Sequence, residues 1–340
     1  MFIRNRWYVA AWDKEVGRKP LARTICGEKV VLYRRADGSA AALADFCPHR
    51  LAPLSLGTVE GDNLRCGYHG LVVDGSGACV EMPGQDAAPR LSARAYPLVE
   101  RYRFVWVWIG EAALADPALI PDLWFCEHPD WTFEGDVYAV ACDYRLLVDN
   151  LMDLSHETYV HPSSIGQKEI VEAPIDTRLE GEHVVVERWM KGIDAPPFWR
   201  TFLGKDGLVD RWQICHFALP SAVTIEVGVA PAGTGAPEGD RSQGVEGVVV
   251  NFMTPESETT CRYYWGMARS FDIGDAGLTE RMRQSQAGVF DEDVVVLEAQ
   301  QRNIDLRPDL RLVTLGIDAG GAHARRLMER AALESVQAPA

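Results

Sequence analysis

The sequence predicts an α+β protein, an all-β module followed by a larger sheet bracketed by helices, and three observations carry that prediction. Short β-branched and aromatic runs separated by turn signals fill the first ~110 residues. Strand-like runs recur between residues 184 and 268. Helical periodicity is confined to the segments before and after them.

In the first module, Val30-Val31-Leu32-Tyr33 runs into the turn Ala36-Asp37-Gly38-Ser39, and Leu71-Val72-Val73 into Asp74-Gly75-Ser76-Gly77. Phe104-Val105-Trp106-Val107-Trp108 is a strand with side chains suited to burial. An Ala-, Asp- and Pro-rich stretch from Gly110 to Asp122 marks a boundary, giving domains 1–112 and 113–340. Beyond it, Leu147, Leu151, Leu154 and Thr158 space a helix over Tyr144 to Tyr159. Val184 to Trp189, Ala222 to Val229, Val245 to Met253 and Cys261 to Ala268 read as strands. Leu278 to Ile304 reads as a long helix and Ala322 to Ser335 as an amphipathic one. Ala230 to Gly244 is a Gly- and Pro-rich loop. Its Gly233 and Gly235 do not form a dinucleotide fingerprint, because Pro237 intervenes and no helix pattern follows. No nicotinamide or flavin site is visible.

The 340 residues suit two domains, and 47% hydrophobic with 24% charged is a globular balance. A net charge of −15 repels phosphate backbones and argues against nucleic acid. The N-terminus, Met1-Phe2-Ile3-Arg4-Asn5-Arg6-Trp7, lacks a signal-peptide core, and Phe104 to Ile109 is far short of a membrane span, so a soluble, cytoplasmic protein is expected. Eight scattered cysteines do not form a disulfide framework.

Two constellations carry chemistry. Phe46-Cys47-Pro48-His49-Arg50 and Cys66-Gly67-Tyr68-His69-Gly70 each pair one thiolate with one imidazole. That set suits a [2Fe–2S] centre in which two His replace two Cys on one iron. Pro48 stiffens one loop, and Gly67 and Gly70 let backbone N–H groups approach the sulfurs. A structural zinc uses the same residue types, but its common knuckles pair Cys with Cys and His with His. The second constellation is Asn150, Asp153, His156 and His161. Asp153 and His156 are helical neighbours, and the carboxylate can take the second imidazole N–H and free the other nitrogen for a metal. Pro162 ends the helix so that His161 can swing back. Two helix-end histidines satisfied by neighbours would look alike, but an electron-delivering centre implies a group that receives electrons. Two His and a carboxylate make the facial triad of non-haem Fe(II). Asp291, Glu292, Asp293 and Glu298 are the candidate acids, and periodicity alone does not choose among them.

On these motifs the chain resembles the Rieske non-haem iron oxygenases, and among them the vanillate O-demethylase oxygenase subunits. The resemblance runs nearly end to end. It includes Trp7-Tyr8-Val9-Ala10, both cluster loops, Asp149 to His161 and Ser164 to Ile170. It continues through Pro197-Phe198-Trp199-Arg200, Asp210 to Cys215, Thr254-Pro255-Glu256-Ser257, and Glu292-Asp293 with Leu297 to Gln301. It implies a Rieske domain followed by a helix-grip catalytic domain. It makes Cys47, His49, Cys66 and His69 the cluster ligands and His156, His161 and Asp293 the iron ligands. Asp153 would bridge His156 to His69 of a neighbouring subunit in a homotrimer, and Asn150 would sit near the iron. The implied reaction uses O₂ to O-demethylate a methoxybenzoate such as vanillate, releasing formaldehyde. Syringate, veratrate-like acids and toluenesulfonate are the alternatives. Electrons would come from a separate NADH-dependent reductase carrying flavin and its own iron–sulfur cluster.

An aromatic acid needs a flat apolar slot and a carboxylate partner. Phe198, Trp199, Phe252 and Trp265 are candidates for the first, Arg200 or Lys168 for the second. The variable stretch Ala230 to Glu246 is expected to line or gate the pocket.

Overall fold

The computed structural model describes residues 1–162, 165, 166 and 168–337; for Lys168, Phe198, Val336 and Gln337 it describes the backbone only. The chain forms two compact units. The first is Met1–Asp122 with Thr254–Ser257 and the last residues from Glu334; the second is Leu123–Met253 with Glu258–Leu333.

Ten strands build the first unit: β1 (Arg6–Trp12), β2 (Leu21–Ile25), β3 (Glu28–Arg34), β4 (Ala40–Ala44), β5 (Thr58–Glu60), β6 (Asn63–Arg65), β7 (Val72–Val73), β8 (Cys79–Glu81), β9 (Leu98–Arg101) and β10 (Phe104–Ile109). They form three sheets, β1-β10-β9, β2-β3-β4 and β5-β6-β7-β8, all with antiparallel pairings. Strand β3 explains the layering. Its side chains alternate, so Val30 and Leu32 enter a core with Tyr8, Val105 and Val107, while Val31 and Tyr33 face a second core. That second core contains Leu43, Leu54, Leu64, Leu71 and Val73 and closes around Cys47 and Cys66. The late segment Thr254–Ser257 is tied into this unit, since the Thr254 hydroxyl donates to the Val9 carbonyl and the Cys26 N–H to that of Pro255.

The second unit is built on one seven-stranded antiparallel sheet: β11 (Thr132–Val140), β12 (Ile175–Glu180), β13 (His183–Asp194), β14 (Leu208–Ala218), β15 (Ala222–Pro231), β16 (Val245–Pro255) and β17 (Cys261–Arg269), in the order β11-β17-β16-β15-β14-β13-β12. Six helices accompany it: α1 (Tyr144–Leu151), α2 (Glu157–Val160), α3 (Lys168–Glu172), α4 (Pro197–Leu203), α5 (Ala276–Leu306) and α6 (Ala319–Gln337). An N-terminal all-β domain and a catalytic domain of antiparallel sheet with helices is the α+β arrangement the sequence predicts.

The helix expected over Tyr144 to Tyr159 is two helices. It breaks after Leu151, where the Asp153 carboxylate accepts the Ser155 N–H at 2.6 Å and turns the chain locally. At that corner the backbone of α6 comes very close: a Cβ on Gly320 would lie 2.4 Å from Val186 Cγ2 and 2.6 Å from the Met152 carbonyl oxygen. Arg325 then grips Asp149 through two nitrogens at 2.5–2.9 Å, fixing α6 to α1.

The loop after β15 does not gate the pocket described below. Ala236 is buried against Trp212, and Arg241 stacks 4.9 Å over the same indole while donating to Glu226 at 2.5 Å. Trp212 points away from the face that carries Arg211 and Gln213, as strand alternation requires. The loop therefore covers the far side of the sheet, and none of its described residues lines the cavity.

Candidate metal centres and substrate cavity

In the first unit the two cluster loops converge. Cys47 and Cys66 are buried, whereas His49 and His69 are exposed with ring centroids 4.8 Å apart. Backbone N–H groups aim at the sulfurs: those of His49 and Arg50 at Cys47, and that of Tyr68 at Cys66 Sγ at 3.5 Å. Burial pushes the Cys47 thiol up, and the neighbouring Cys66 adds to the shift against the N–H donors. Two buried thiols facing each other want a positive centre to be thiolates, and the N–H groups already point where thiolate charge would sit. Gly67 earns its place by contact, because a Cβ there would lie 2.7 Å from the Leu56 carbonyl oxygen. The donor set fits a cluster with its cysteine iron inside and its histidine iron at the surface.

In the second unit His156, His161 and Asp293 offer ligand atoms all within 4.8 Å of one another. The break between α1 and α2 puts His156 at the start of the short helix and His161 at its end. Asp293 comes from α5, on the buried stripe Met282, Val289, Asp293, Leu297, Gln301, while Asp291 is exposed. His156 Nδ1 lies 2.8 Å from the Asp153 carbonyl oxygen, which can only accept, so Nδ1 carries the proton and Nε2 is presented inward. The Asp153 carboxylate stands 3.8 Å from the ring; the backbone, not the acid, fixes this tautomer. His161 Nδ1 lies 2.6 Å from Glu292 Oε2, and its Nε2 lies 3.2 Å from Asp293 Oδ1. Asn150 Nδ2 donates to Asp293 Oδ1 at 3.0 Å and lies 3.4 Å from His156 Nε2.

Burial pulls both imidazoles down, but hydrogen bonding to Asp293 and its charge outweigh it, and both His pKa values rise. Burial alone would raise Asp293; the two imidazoles outweigh it and bring its carboxyl to about 2. Two inward nitrogens and a persistent carboxylate form a facial triad with one side open, and the residues fit a divalent iron.

That open side meets a cavity of about 270 Å³. Ile225, Val227, Val249 and Met267 from the sheet and Met282, Val289 and Phe290 from α5 give it apolar walls. Trp199, Pro196 and Pro197 supply another side. Trp199 is thus where the sequence suggested. Phe252 and Trp265 are not: both are buried in the sheet outside the cavity lining, and Trp265 stacks edge-on behind Phe290 at 5.1 Å. Arg200 is also outside it; its side chain is 60% exposed on α4 and donates to the Ala195 carbonyl. The side chains of Lys168 and Phe198, like Ser164 and Gln167, lie outside the described residues.

Sequence reading missed a buried polar group on the same wall. Gln213 Nε2 donates to both Glu157 oxygens at 2.8 and 2.9 Å, and Arg188 donates to Glu157, to Gln213 and to the carbonyls of Leu154 and Ile170. Arg211, buried, also lines the cavity. Polar residues alternating with apolar ones along 208–218 were the available signal.

Residues 6–100 match the Rieske [2Fe–2S] domain, and residues 140–334 match the vanillate O-demethylase oxygenase C-terminal domain. Two relatives from Pseudomonas sp., both vanillate O-demethylase oxygenase subunits, are 52% identical over 335 residues and 54% over 311. These alignments cover 97% and 90% of this chain and 95% and 94% of the relatives. The crystal structure of dicamba monooxygenase with non-haem iron and dicamba superposes with a TM-score of 0.87 at 35% identity, covering 99% of both chains. Fold and site define a two-centre iron enzyme, a Rieske non-haem iron monooxygenase. The chain belongs to the vanillate O-demethylase oxygenase family of Rieske oxygenases. Its cofactors are a Rieske [2Fe–2S] cluster and a mononuclear iron, and as an oxygenase component it works with a separate reductase.

Proposed function

We propose that this oxygenase O-demethylates a methoxybenzoate such as vanillate to the corresponding phenol with release of formaldehyde. One observation carries the reading: the open side of the His156–His161–Asp293 triad faces an apolar cavity with room for one substituted benzene ring and a buried guanidinium in its wall. In this reading residues 1–112 are the electron-relay domain, with Cys47, His49, Cys66 and His69 as cluster ligands, and 113–340 the catalytic domain.

When bound, the cluster delivers electrons singly and the mononuclear iron activates O₂ so that one oxygen atom enters a methoxy C–H bond. The resulting hemiacetal expels formaldehyde. The chain's own residues do the positioning. Asp153 and Glu292 hold Nδ1 of the two imidazoles, leaving both Nε2 atoms to the metal. Asn150 donates to Asp293 Oδ1 and so orients that carboxylate. Phe290, Trp199, Val249 and Met267 exclude water from the methyl group.

The partner is an NADH-dependent reductase with flavin and its own iron–sulfur cluster, and the oxygenase is a homotrimer. Exposed apolar side chains beside the cluster ligands (Leu51, Leu56, Tyr68) and beside the iron ligands (Tyr159, Val295) support that assembly. Eight unbridged cysteines support a reducing, cytoplasmic setting. Among the described residues no helix is long and apolar enough to cross a membrane.

The test is product analysis with reductase, NADH and a panel of methoxybenzoates. Stoichiometric formaldehyde and phenol are expected. Ring diols, or turnover of aryl-methyl sulfonates in preference to methoxy acids, would overturn the substrate assignment.

A further inference from the structure

Along α5 the cavity lining changes character with distance from the metal site. Asp293 is the ligand, Phe290 and Val289 one turn before it are buried and apolar, and one turn further back stand Gln286 and Ser285. At the helical rise of 1.5 Å per residue, Gln286 lies about 10 Å along α5 from Asp293. Polar side chains on the outer face of this turn are paired, Arg283 with Glu280 and Asp136, and Gln284 with Glu280. Gln286 and Ser285 face the cavity instead, and among the described residues no hydrogen bond engages either side chain.

The polar groups on the opposite wall are committed already. Gln213 donates to both Glu157 oxygens, Arg188 donates to Glu157 and Gln213, and Arg211 is engaged too. Ser285 and Pro197 are exposed and mark the rim of the cavity, with Gln286 half-buried beside Ser285. A carboxylate at that rim keeps part of its water, whereas one set deep among apolar walls loses it uncompensated.

We propose that Gln286 is the specificity residue for the aromatic acid. Its side-chain N–H donates to the carboxylate at the rim, the ring lies against Val289 and Phe290, and the methoxy group reaches the triad. The order polar, apolar, metal along one helix face matches the order carboxylate, ring, methyl across a substrate whose two groups are meta to each other. An ortho pair would bring both groups to the same turn. Ser285 adds a second donor at the exposed edge. The proposal rests on the methoxybenzoate reading above but is separable from it, because binding is measured without turnover.

The experiment is calorimetric titration of the anaerobic, iron-loaded oxygenase with 4-hydroxy-3-methoxybenzoate and with 2-methoxyphenol, the same ring without its carboxylate. Gln286→Leu removes the donor at similar volume, and affinity for the acid should fall about 10- to 100-fold, as for one hydrogen bond to a charged group. Gln286→Glu, of the same shape but anionic, should lower it further. Both variants should bind 2-methoxyphenol as wild type does. Iron content and cluster absorbance verify that each variant is loaded. Equal weakening of acid and phenol, or full acid affinity in both variants, overturns the assignment, as does selective loss of the acid in Arg211→Lys alone. Selective acid loss in both Gln286 variants, with no formaldehyde from any methoxybenzoate in wild type, would overturn the demethylation reading and leave Gln286 as the carboxylate group.

Discussion

His161 is held at both ring nitrogens, and the two holds differ in kind. Its inward Nε2 lies 3.2 Å from Asp293 Oδ1, at the proposed metal site, while its outward Nδ1 is 2.6 Å from Glu292 Oε2. A carboxylate behind a ligating imidazole fixes the tautomer and raises the basicity of the inward nitrogen. Glu292→Gln should therefore keep the red-brown cluster but weaken retention of the mononuclear iron by about 10- to 100-fold, read by iron analysis after graded dialysis against a chelator. Equal retention would mean that Glu292 is a surface acid with a fortuitous neighbour. His156 behaves differently, since its Nδ1 is fixed by the Asp153 carbonyl and the Asp153 carboxylate lies 3.8 Å away. Asp153→Asn leaves that carbonyl in place, so both metal centres should load fully. Turnover should still fall by at least 10-fold, because the carboxylate is the proposed bridge to the neighbouring subunit's cluster; wild-type rates with full iron would dismiss the bridge.

Among the elements, the corner between α1 and α2 sets the site. It exists because Asp153 prefers a local turn to continuing the helix, and Gly320 of α6 seals it at a distance no side chain permits. Gly320→Ala would push either Val186 or the Met152 carbonyl aside, costing about 1–3 kcal/mol. Displacing Met152 also moves His156 four residues on. A lower melting temperature together with reduced mononuclear iron is expected; a lower melting temperature with full iron would mean that the corner yields without disturbing the ligands. The same elements mark what could be read in the sequence. Strands such as Val30–Tyr33 and Phe104–Trp108 were legible because burial on both faces leaves an unbroken apolar run. The break at Leu151 was not, since Leu154 continued the apolar spacing across it. Strand β14 was missed although Arg211, Trp212, Gln213 and Ile214 alternate, because its polar positions face the buried cavity, the reverse of the usual pattern. Periodicity over four neighbouring acids did not single out Asp293, which only the family resemblance picked; the buried stripe of α5 is what brings it beside the two histidines.

For the whole molecule, the decisive question is which iron each cluster serves. The cluster unit exposes Leu51, Leu56 and Tyr68 beside its ligands, and the catalytic unit exposes Tyr159 and Val295 beside its own. Two different patches that pair between copies make a head-to-tail contact, and such contacts form a ring where the rotation between copies closes. A trimer built this way would pass electrons from one chain's cluster to the next chain's iron. Two dead variants then become informative together. His69→Ala is expected to lose the cluster and keep the catalytic iron, and His156→Ala to keep the cluster and lose that iron. Each alone should be inactive. Co-expressed in equal amounts and assembled at random, a cluster-competent chain precedes an iron-competent one at about one interface in four, so about a quarter of wild-type formaldehyde release should return. If electrons instead pass within a chain, no mixture contains a chain with both centres, and activity stays at zero whatever the ratio.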